Sequence, residues 1–108
     1  MAASEASGPD LMVLVADLAS ELGEVSSSGD AGIVSYQWAG TVFARVSADA
    51  LEVRLPADIA DAALRTPDTA AIPGDVGWLR FRPRGRERHV VDRATAWFQM
   101  AWRHAGGG

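Results

Sequence analysis

The chain has 108 residues, of which 48% are hydrophobic and 22% are charged, as expected for one globular domain. Without cysteine it has no disulfide, thiol nucleophile or thiolate metal site, and its formal net charge of −4 is unlike that of typical nucleic-acid binders. It shows neither a signal-peptide pattern nor an apolar run of about 20 residues, which predicts a cytoplasmic protein without membrane contact.

The first predicted element is an amphipathic helix that starts at Pro9 and stops before Gly23. Residues 1–8 are small and polar, which predicts a disordered tail ahead of a single α+β domain over residues 9–104. Apolar residues recur in the helix at spacings of three and four, namely Leu11, Leu14, Val15, Leu18 and Leu22. Residues 26–32, Ser-Ser-Ser-Gly-Asp-Ala-Gly, predict a turn-rich loop.

An antiparallel meander is predicted for residues 33–55. Ala39-Gly40 breaks the first part into two short strands, and residues 51–55 alternate strictly between apolar and polar side chains. Pro56 then opens a short helix over residues 57–65.

The last third of the sequence predicts a proline-containing loop over residues 66–75, a fourth strand over 76–82 and a final helix over about 89–103. Residues 105–108 are interpreted as a flexible tail. The predicted order is α-β-β-β-α-β-α, which gives a four-stranded antiparallel sheet with helices packed on one face.

Charge is distributed unevenly along the chain. Residues 1–79 hold three arginines against twelve acidic residues, whereas residues 80–108 hold seven arginines against Glu87 and Asp92. Two interpretations are open: the halves pair across the fold, or a cationic surface meets an anionic ligand. The second predicts an anion or partner site, formed by Arg82, Arg84, Arg86 and Arg88.

Four tryptophans are many for so short a chain. Most buried tryptophans supply apolar area to a core, and this is the interpretation for Trp78 and Trp97. Trp38 and Trp102 are the candidates for an aromatic surface that contacts a partner or a second copy of the chain.

The sequence contains no recognisable catalytic or metal-binding set. His89 and Asp92 are three residues apart at the start of a helix, but no nucleophile accompanies them. A metal site needs three or four ligands, which two separated histidines do not supply. The acidic face of the first helix, Asp17, Glu21 and Glu24, is interpreted as a solubilising surface, and no cofactor is predicted.

Two family resemblances add to these patterns. From Thr41 onward, the run that ends in Leu55-Pro56, the segment Gly77-Trp78-Leu79-Arg80-Phe81-Arg82 and the helix that carries Ala101 and Trp102 resemble the luciferase-domain family. That family has no assigned activity, so the resemblance implies a fold and no light-emitting chemistry. A His-x-His pair associated with the family is replaced here by Ala44 and Val46.

The second resemblance is to the MmcQ/YjbR-like fold. Residues 37–44, Gln-Trp-Ala-Gly-Thr-Val-Phe-Ala, and residues 101–103, Ala-Trp-Arg, are similar to the hairpin and helix of that fold, although its lysines are absent. The fold is often labelled DNA-binding, which is what this resemblance implies.

These observations lead to one functional prediction and one alternative. The prediction is a small, non-catalytic, cytoplasmic binding or interaction module whose partner is a protein or a second copy of itself. The alternative is a nucleic-acid-binding domain that uses the arginines of residues 80–88, as local charge and aromatic neighbours would permit.

Overall fold

The computed structural model describes residues 11–85 and 87–107, and these form an α+β fold with one antiparallel sheet. The elements in chain order are α1 (Leu11–Glu21), β1 (Val25–Asp30), β2 (Ile33–Trp38), β3 (Thr41–Val46), β4 (Leu51–Arg54), α2 (Ala57–Ala63), β5 (Thr69–Ala71), β6 (Trp78–Phe81) and α3 (Arg88–His104). Residues 1–8 and Pro9, for which the sequence predicted a tail and a helix start, lie outside the described residues.

Within the described residues the sheet has six strands in the order β1-β2-β3-β4-β6-β5, so the prediction of four strands was wrong. All neighbouring strands are antiparallel, and the meander predicted for residues 33–55 is confirmed as β2, β3 and β4. The two additional strands, β1 and β5, lie at the two edges, where each pairs with one neighbour and most of its side chains are exposed.

The first missed strand is β1, within the segment interpreted as a loop. It pairs with β2 over its whole length, from Val25 opposite Trp38 to Asp30 opposite Ile33. The turn between β1 and β2 consists of Ala31 and Gly32. Their φ angles, 53° and 81°, are both positive, as a two-residue hairpin turn of this type requires. Five of its six residues are exposed, so β1 has no apolar alternation that would reveal a strand.

The second missed strand is β5, which lies between Pro67 and Pro73 and has only three residues. It pairs with β6, with Thr69 opposite Phe81. The Thr69 hydroxyl group donates to the carbonyl oxygens of Ala63 and Thr66, at 3.1 and 2.9 Å. These bonds hold the strand to the end of α2, and they have no signature in local sequence.

The hydrophobic core lies between one face of the sheet and the helices α1 and α3, which contact each other and β3. In β4, Leu51 and Val53 are buried while Glu52 and Arg54 are not, as the predicted alternation requires. In β6, Leu79 and Phe81 are buried, so their side of the strand is the covered one. Trp78 and Arg80 therefore lie on the opposite, open face of the sheet, so the interpretation of Trp78 as a core residue was wrong, whereas Trp97 does pack against the core.

A β-bulge lets β3 bury two consecutive residues. Tyr36 lies opposite Ala44 whereas Gln37 lies opposite Val42, so Phe43 is the additional residue in the pairing. Phe43 and Ala44 are both fully buried, and the Phe43 ring packs on that of Phe98, with the ring centroids 5.3 Å apart. The bulge brings a large aromatic side chain into the core without shortening the strand.

We expect the single tyrosine to make the protein less stable at alkaline pH. Burial raises the pKa of Tyr36 above its ordinary value of 10.0. Above that pH the unfolded chain loses the phenol proton before the folded protein does, so the free energy of unfolding falls as pH rises through the folded-state pKa. The chain has no lysine and no cysteine, so no other side chain is expected to titrate near pH 10.

Urea unfolding between about pH 9 and pH 11 would measure this effect, and Tyr36→Phe is the control. The slope with pH should be present in the natural chain and absent in the variant. An equal slope in both proteins would contradict the assignment. Tyrosinate absorbance reports the same titration directly, because the chain has only one tyrosine.

Candidate functional site

The described arginines of residues 80–88 belong to three different parts of the structure. Arg80 lies on the open face of the sheet, Arg82 and Arg84 follow the end of β6, and Arg88 is the first residue of α3. Arg86 lies outside the described residues. The described arginines of the predicted site, Arg82, Arg84 and Arg88, therefore lie in the loop after β6 and at the start of α3, whereas Arg80, which was not part of that site, lies on the sheet.

Arg80 belongs to a row of side chains that crosses all six strands. The register places Ser28 opposite Ser35 and Arg45 opposite Glu52, and the same row continues through Arg80 to Ala70. The Arg80 Nε–H group donates to Glu52 Oε2 at 3.0 Å. The sheet register, and no feature of local sequence, brings this arginine to its carboxylate.

Arg45 approaches the other oxygen of Glu52. Its Nε atom is 3.0 Å from Oε1, which is an ion-pair distance, but the geometry makes no hydrogen bond, and within residues 11–85 and 87–107 this buried nitrogen has no other hydrogen-bond partner. The guanidinium group lies over the Trp78 ring at 4.1 Å from its centroid, and Nη2 is 3.9 Å from Asp75 Oδ2. Arg45 is therefore held by charge and stacking more than by hydrogen bonds.

The open face of the sheet is close to electrically neutral. Strand alternation places three arginines and two carboxylates there, namely Arg45, Arg54, Arg80, Asp30 and Glu52. Asp75 adds a third carboxylate next to Arg45. A surface with balanced charges does not attract a polyanion over long distances.

The loop arginines are more exposed and one of them is paired. Arg84 Nε is 3.2 Å from Asp68 Oδ1, but its side chain is 91% exposed, so the pair contributes little stability. The backbone N–H group of Arg82 donates to the Asp68 carbonyl oxygen at 2.8 Å. The side chain of Arg88, the first residue of α3, is exposed as well.

A further arginine, which sequence reasoning did not single out, has a structural role. Arg93 Nη2 donates to Thr66 Oγ1 and to the Pro67 carbonyl oxygen, both at 2.7 Å. Its guanidinium carbon is 4.7 Å from the Phe81 ring centroid and 5.0 Å from that of Trp97. Arg93 thus ties the loop after α2 to α3, and its i, i+4 spacing with Trp97 was the available signal.

Trp38 and Trp102 are half-buried and pack against the core. With Gly23, Glu24 and Gly106 they line an open recess of about 410 Å³, and the Trp102 indole N–H donates to the Gly23 carbonyl oxygen at 3.3 Å. Backbone atoms of Gly106 and Gly107 lie directly against the two indole rings. The predicted aromatic surface is therefore partly covered by residues that follow α3.

His89 and Asp92 are both exposed at the start of α3. Within residues 11–85 and 87–107, no hydrogen bond or ion pair joins them and no group of three histidine, aspartate or glutamate side chains is placed to hold a metal ion.

The most exposed large apolar side chain in the described residues is that of Val76, at 93%. It borders an open groove of about 290 Å³ between α2 and residues 71–78, which we call the Val76 groove. Its lining is mainly apolar and includes Ala60, Leu64, Ile72, Val76 and Trp78. Leu64 is itself 39% exposed. Asp61 and Asp75 add carboxylates to the lining.

Backbone hydrogen bonds fix the loop that carries Val76. The N–H group of Asp75 donates to the Ile72 carbonyl oxygen, and that of Trp78 donates to the Asp75 carbonyl oxygen, both at 3.1 Å. The N–H group of Leu55 donates to the Gly77 carbonyl oxygen at 2.9 Å. Gly77 has a φ angle of 86°, and a Cβ atom there would lie 3.2 Å from the Leu55 carbonyl oxygen. Hydrogen bonds on both sides of Val76 therefore hold the loop in a conformation that leaves the Val76 side chain exposed.

The sequence has no match among protein-family models, curated proteins or solved structures. The resemblances to the luciferase-domain family and to the MmcQ/YjbR-like fold therefore stay predictions. Among the described helices, none combines the length and apolar character needed to cross a bilayer.

Proposed function

We propose that this protein is a non-catalytic, cytoplasmic interaction module that binds a segment of a partner protein in the Val76 groove. The observation that carries the proposal is the 93% exposure of Val76 beside an apolar groove. A contiguous exposed apolar surface of this kind is typical of a contact site, whereas single exposed apolar residues are common on any surface.

The fixed conformation of residues 72–78 supports this proposal. Hydrogen bonds on both sides of Val76 keep its side chain in water, although burying a valine contributes about 1.5–3 kcal/mol. A partner that covered Val76, Leu64 and Ile72 would gain this free energy without having to order the loop first, because the loop is already held.

Charge around the groove favours a partner with a basic residue. Asp61 lies in the groove and Asp58 precedes it on the same helix, and both are exposed. No described cation forms an ion pair with either, and the contact of Asp75 with Arg45 is as long as 3.9 Å. A segment with two or three apolar side chains and a neighbouring Arg or Lys is complementary to this surface.

The test begins with a displayed library of random short peptides, selected on the immobilised full chain. We expect enrichment of apolar peptides that contain Arg or Lys, and binding of a selected peptide can be measured by fluorescence anisotropy. Val76→Asp should weaken that binding about tenfold or more, because it places a charge where apolar contact is needed.

Val13→Asp is the matched control, because Val13 is also an exposed valine, at 54%, but it lies on α1. This variant should bind the selected peptide as the natural chain does. Equal loss in both variants, or no loss in Val76→Asp, would show that the groove is not the contact site.

The nucleic-acid alternative has less support from the geometry. Arg80 is paired with Glu52 and Arg84 with Asp68, and the open face around Arg80 is neutral. Arg82 and Arg88 are exposed, and binding of anions by these two arginines stays a prediction.

A further inference from the structure

The two edges of the sheet differ in how well they are protected from pairing with another strand. β5 at one edge has three residues and is flanked by Pro67 and Pro73, which are features that limit strand addition. β1 at the other edge has six residues and contains neither proline nor a basic residue. Its register with β2 is uninterrupted, so no bulge twists this edge away.

Pairing with β2 satisfies only one side of β1. Among residues 11–85 and 87–107 only β2 pairs with β1, so its outward N–H and C=O groups form an open template there, and residues 26–30 are exposed around it. The helix side of this edge is open as well. A recess of about 220 Å³ lies between α1 and β1 and is lined by residues that include Ala16, Ser20, Val25 and Ser27.

We propose that two copies of this chain pair through their β1 strands and form one continuous twelve-stranded antiparallel sheet. This surface is separate from the Val76 groove, and the inference does not depend on the proposed function. The outer edges of this assembly are the two β5 strands, whose short length and flanking prolines limit further strand addition, so the assembly stops at a dimer.

The side chains of β1 permit this strand to pair with the same strand of a second copy. A two-fold axis perpendicular to the sheet keeps the helices of both copies on one face and places Ser27 or Ser28 opposite itself. Small serine side chains permit this close approach. The two Asp30 carboxylates would then be about 14–20 Å apart, given about 3.4 Å per residue. That separation exceeds the screening length of about 8 Å at physiological salt, so they oppose pairing only weakly.

Sedimentation equilibrium of the full chain over a range of concentrations tests the proposal. We expect twice the mass of the chain at high concentration, and the same mass for the Ala70→Lys control on the opposite edge. Ser28→Lys should raise the dimer dissociation constant about tenfold or more, because two ammonium groups then meet near the axis. Circular dichroism and thermal unfolding establish that the variants are folded.

Cysteine cross-linking provides a second readout, since any introduced thiol is the only one in the chain. Under mild oxidation, Ser27→Cys or Ser28→Cys should form a disulfide-linked dimer more efficiently than Ala70→Cys. A natural chain that stays monomeric overturns the proposal. So does a dimer that survives Ser28→Lys but dissociates in Val76→Asp, which would place the contact in the groove.

Discussion

Replacement of Phe98 by alanine is expected to lower the free energy of unfolding by about 3–5 kcal/mol. Phe98 is fully buried, and its ring centroid lies 5.5 Å from that of Tyr36 and 5.3 Å from that of Phe43. Its buried neighbours on the same face of α3 are Ala94 and Ala101, which are too small to fill the space. The cavity would therefore persist, and its walls would lose their contacts.

Urea unfolding followed by tryptophan fluorescence measures this loss, with Phe98→Leu as the control. Leucine retains most of the apolar volume and should lower the stability by less than about 1.5 kcal/mol. A small domain has about 5–15 kcal/mol in total, so the alanine variant should have a visibly populated unfolded state at moderate temperature. Similar losses in the two variants would mean that Phe98 does not close the core.

Elements with a strong side-chain period could be predicted from the sequence. The apolar stripe of the first helix is confirmed, because Leu11 and Val15 are fully buried while Leu14 and Leu18 pack against the same core. The final helix was predicted within one residue of its observed bounds, Arg88–His104. Both helices bury a continuous face, and burial of that face is what periodicity reports.

The edge strands could not be predicted in this way, because backbone pairing forms them. In β1 only Val25 is partly buried, and in β5 only Thr69 is. Their residues, mainly serine, glycine and alanine, have low strand propensity. Hydrogen bonding to β2 and to β6 overrides that propensity, and no local pattern shows which segment will supply the partner.

The arginine segment shows that a run of like charges in the sequence does not predict a single charged surface when part of the run lies in a strand. Within β6, strand alternation places Arg80 on one face of the sheet and Phe81 on the other. The register with β4 then brings Arg80 next to Glu52, which is 28 residues away in sequence. Pairing across the fold, one of the two interpretations of the charge asymmetry, thus holds for Arg80 and Arg84.

The Val76 groove also lay beyond sequence reasoning. Its walls are formed by residues 57–64 and 71–78, and neither segment has an apolar periodicity that would predict a binding surface. What exposes Val76 is a set of backbone hydrogen bonds and the positive φ of Gly77, which the sequence shows only as glycines in a loop. A contact site assembled from loop geometry has no periodic signal.

Gly106→Ala is expected to lower the free energy of unfolding by about 2–5 kcal/mol, the sum of two separate effects. The first is backbone strain. The N–H group of Gly106 donates to the Arg103 carbonyl oxygen and that of Gly107 to Trp102, which is the hydrogen-bond pattern of a helix end with a left-handed residue. Gly106 has a φ angle of 117°, which an L-residue with a side chain adopts only with strain.

The second effect is a steric clash with an indole ring. A Cβ atom on Gly106 would lie 2.6 Å from Trp38 Cζ3, so the ring or the end of α3 must move. Gly32→Ala is the matched control: it also has a positive φ, 81°, but no atom lies within 4 Å of the added methyl group. It should show only the backbone strain, about 1–2 kcal/mol.

A double-mutant cycle separates the two effects. When Trp38→Leu has removed the ring, Gly106→Ala should have about the same effect as Gly32→Ala, and the difference measures the coupling between Gly106 and Trp38. Equal effects of Gly106→Ala with and without the ring would mean that the residues after α3 do not rest on Trp38 in solution. Both faces of that contact would then be open, and Trp38 and Trp102 would again be candidates for a partner surface.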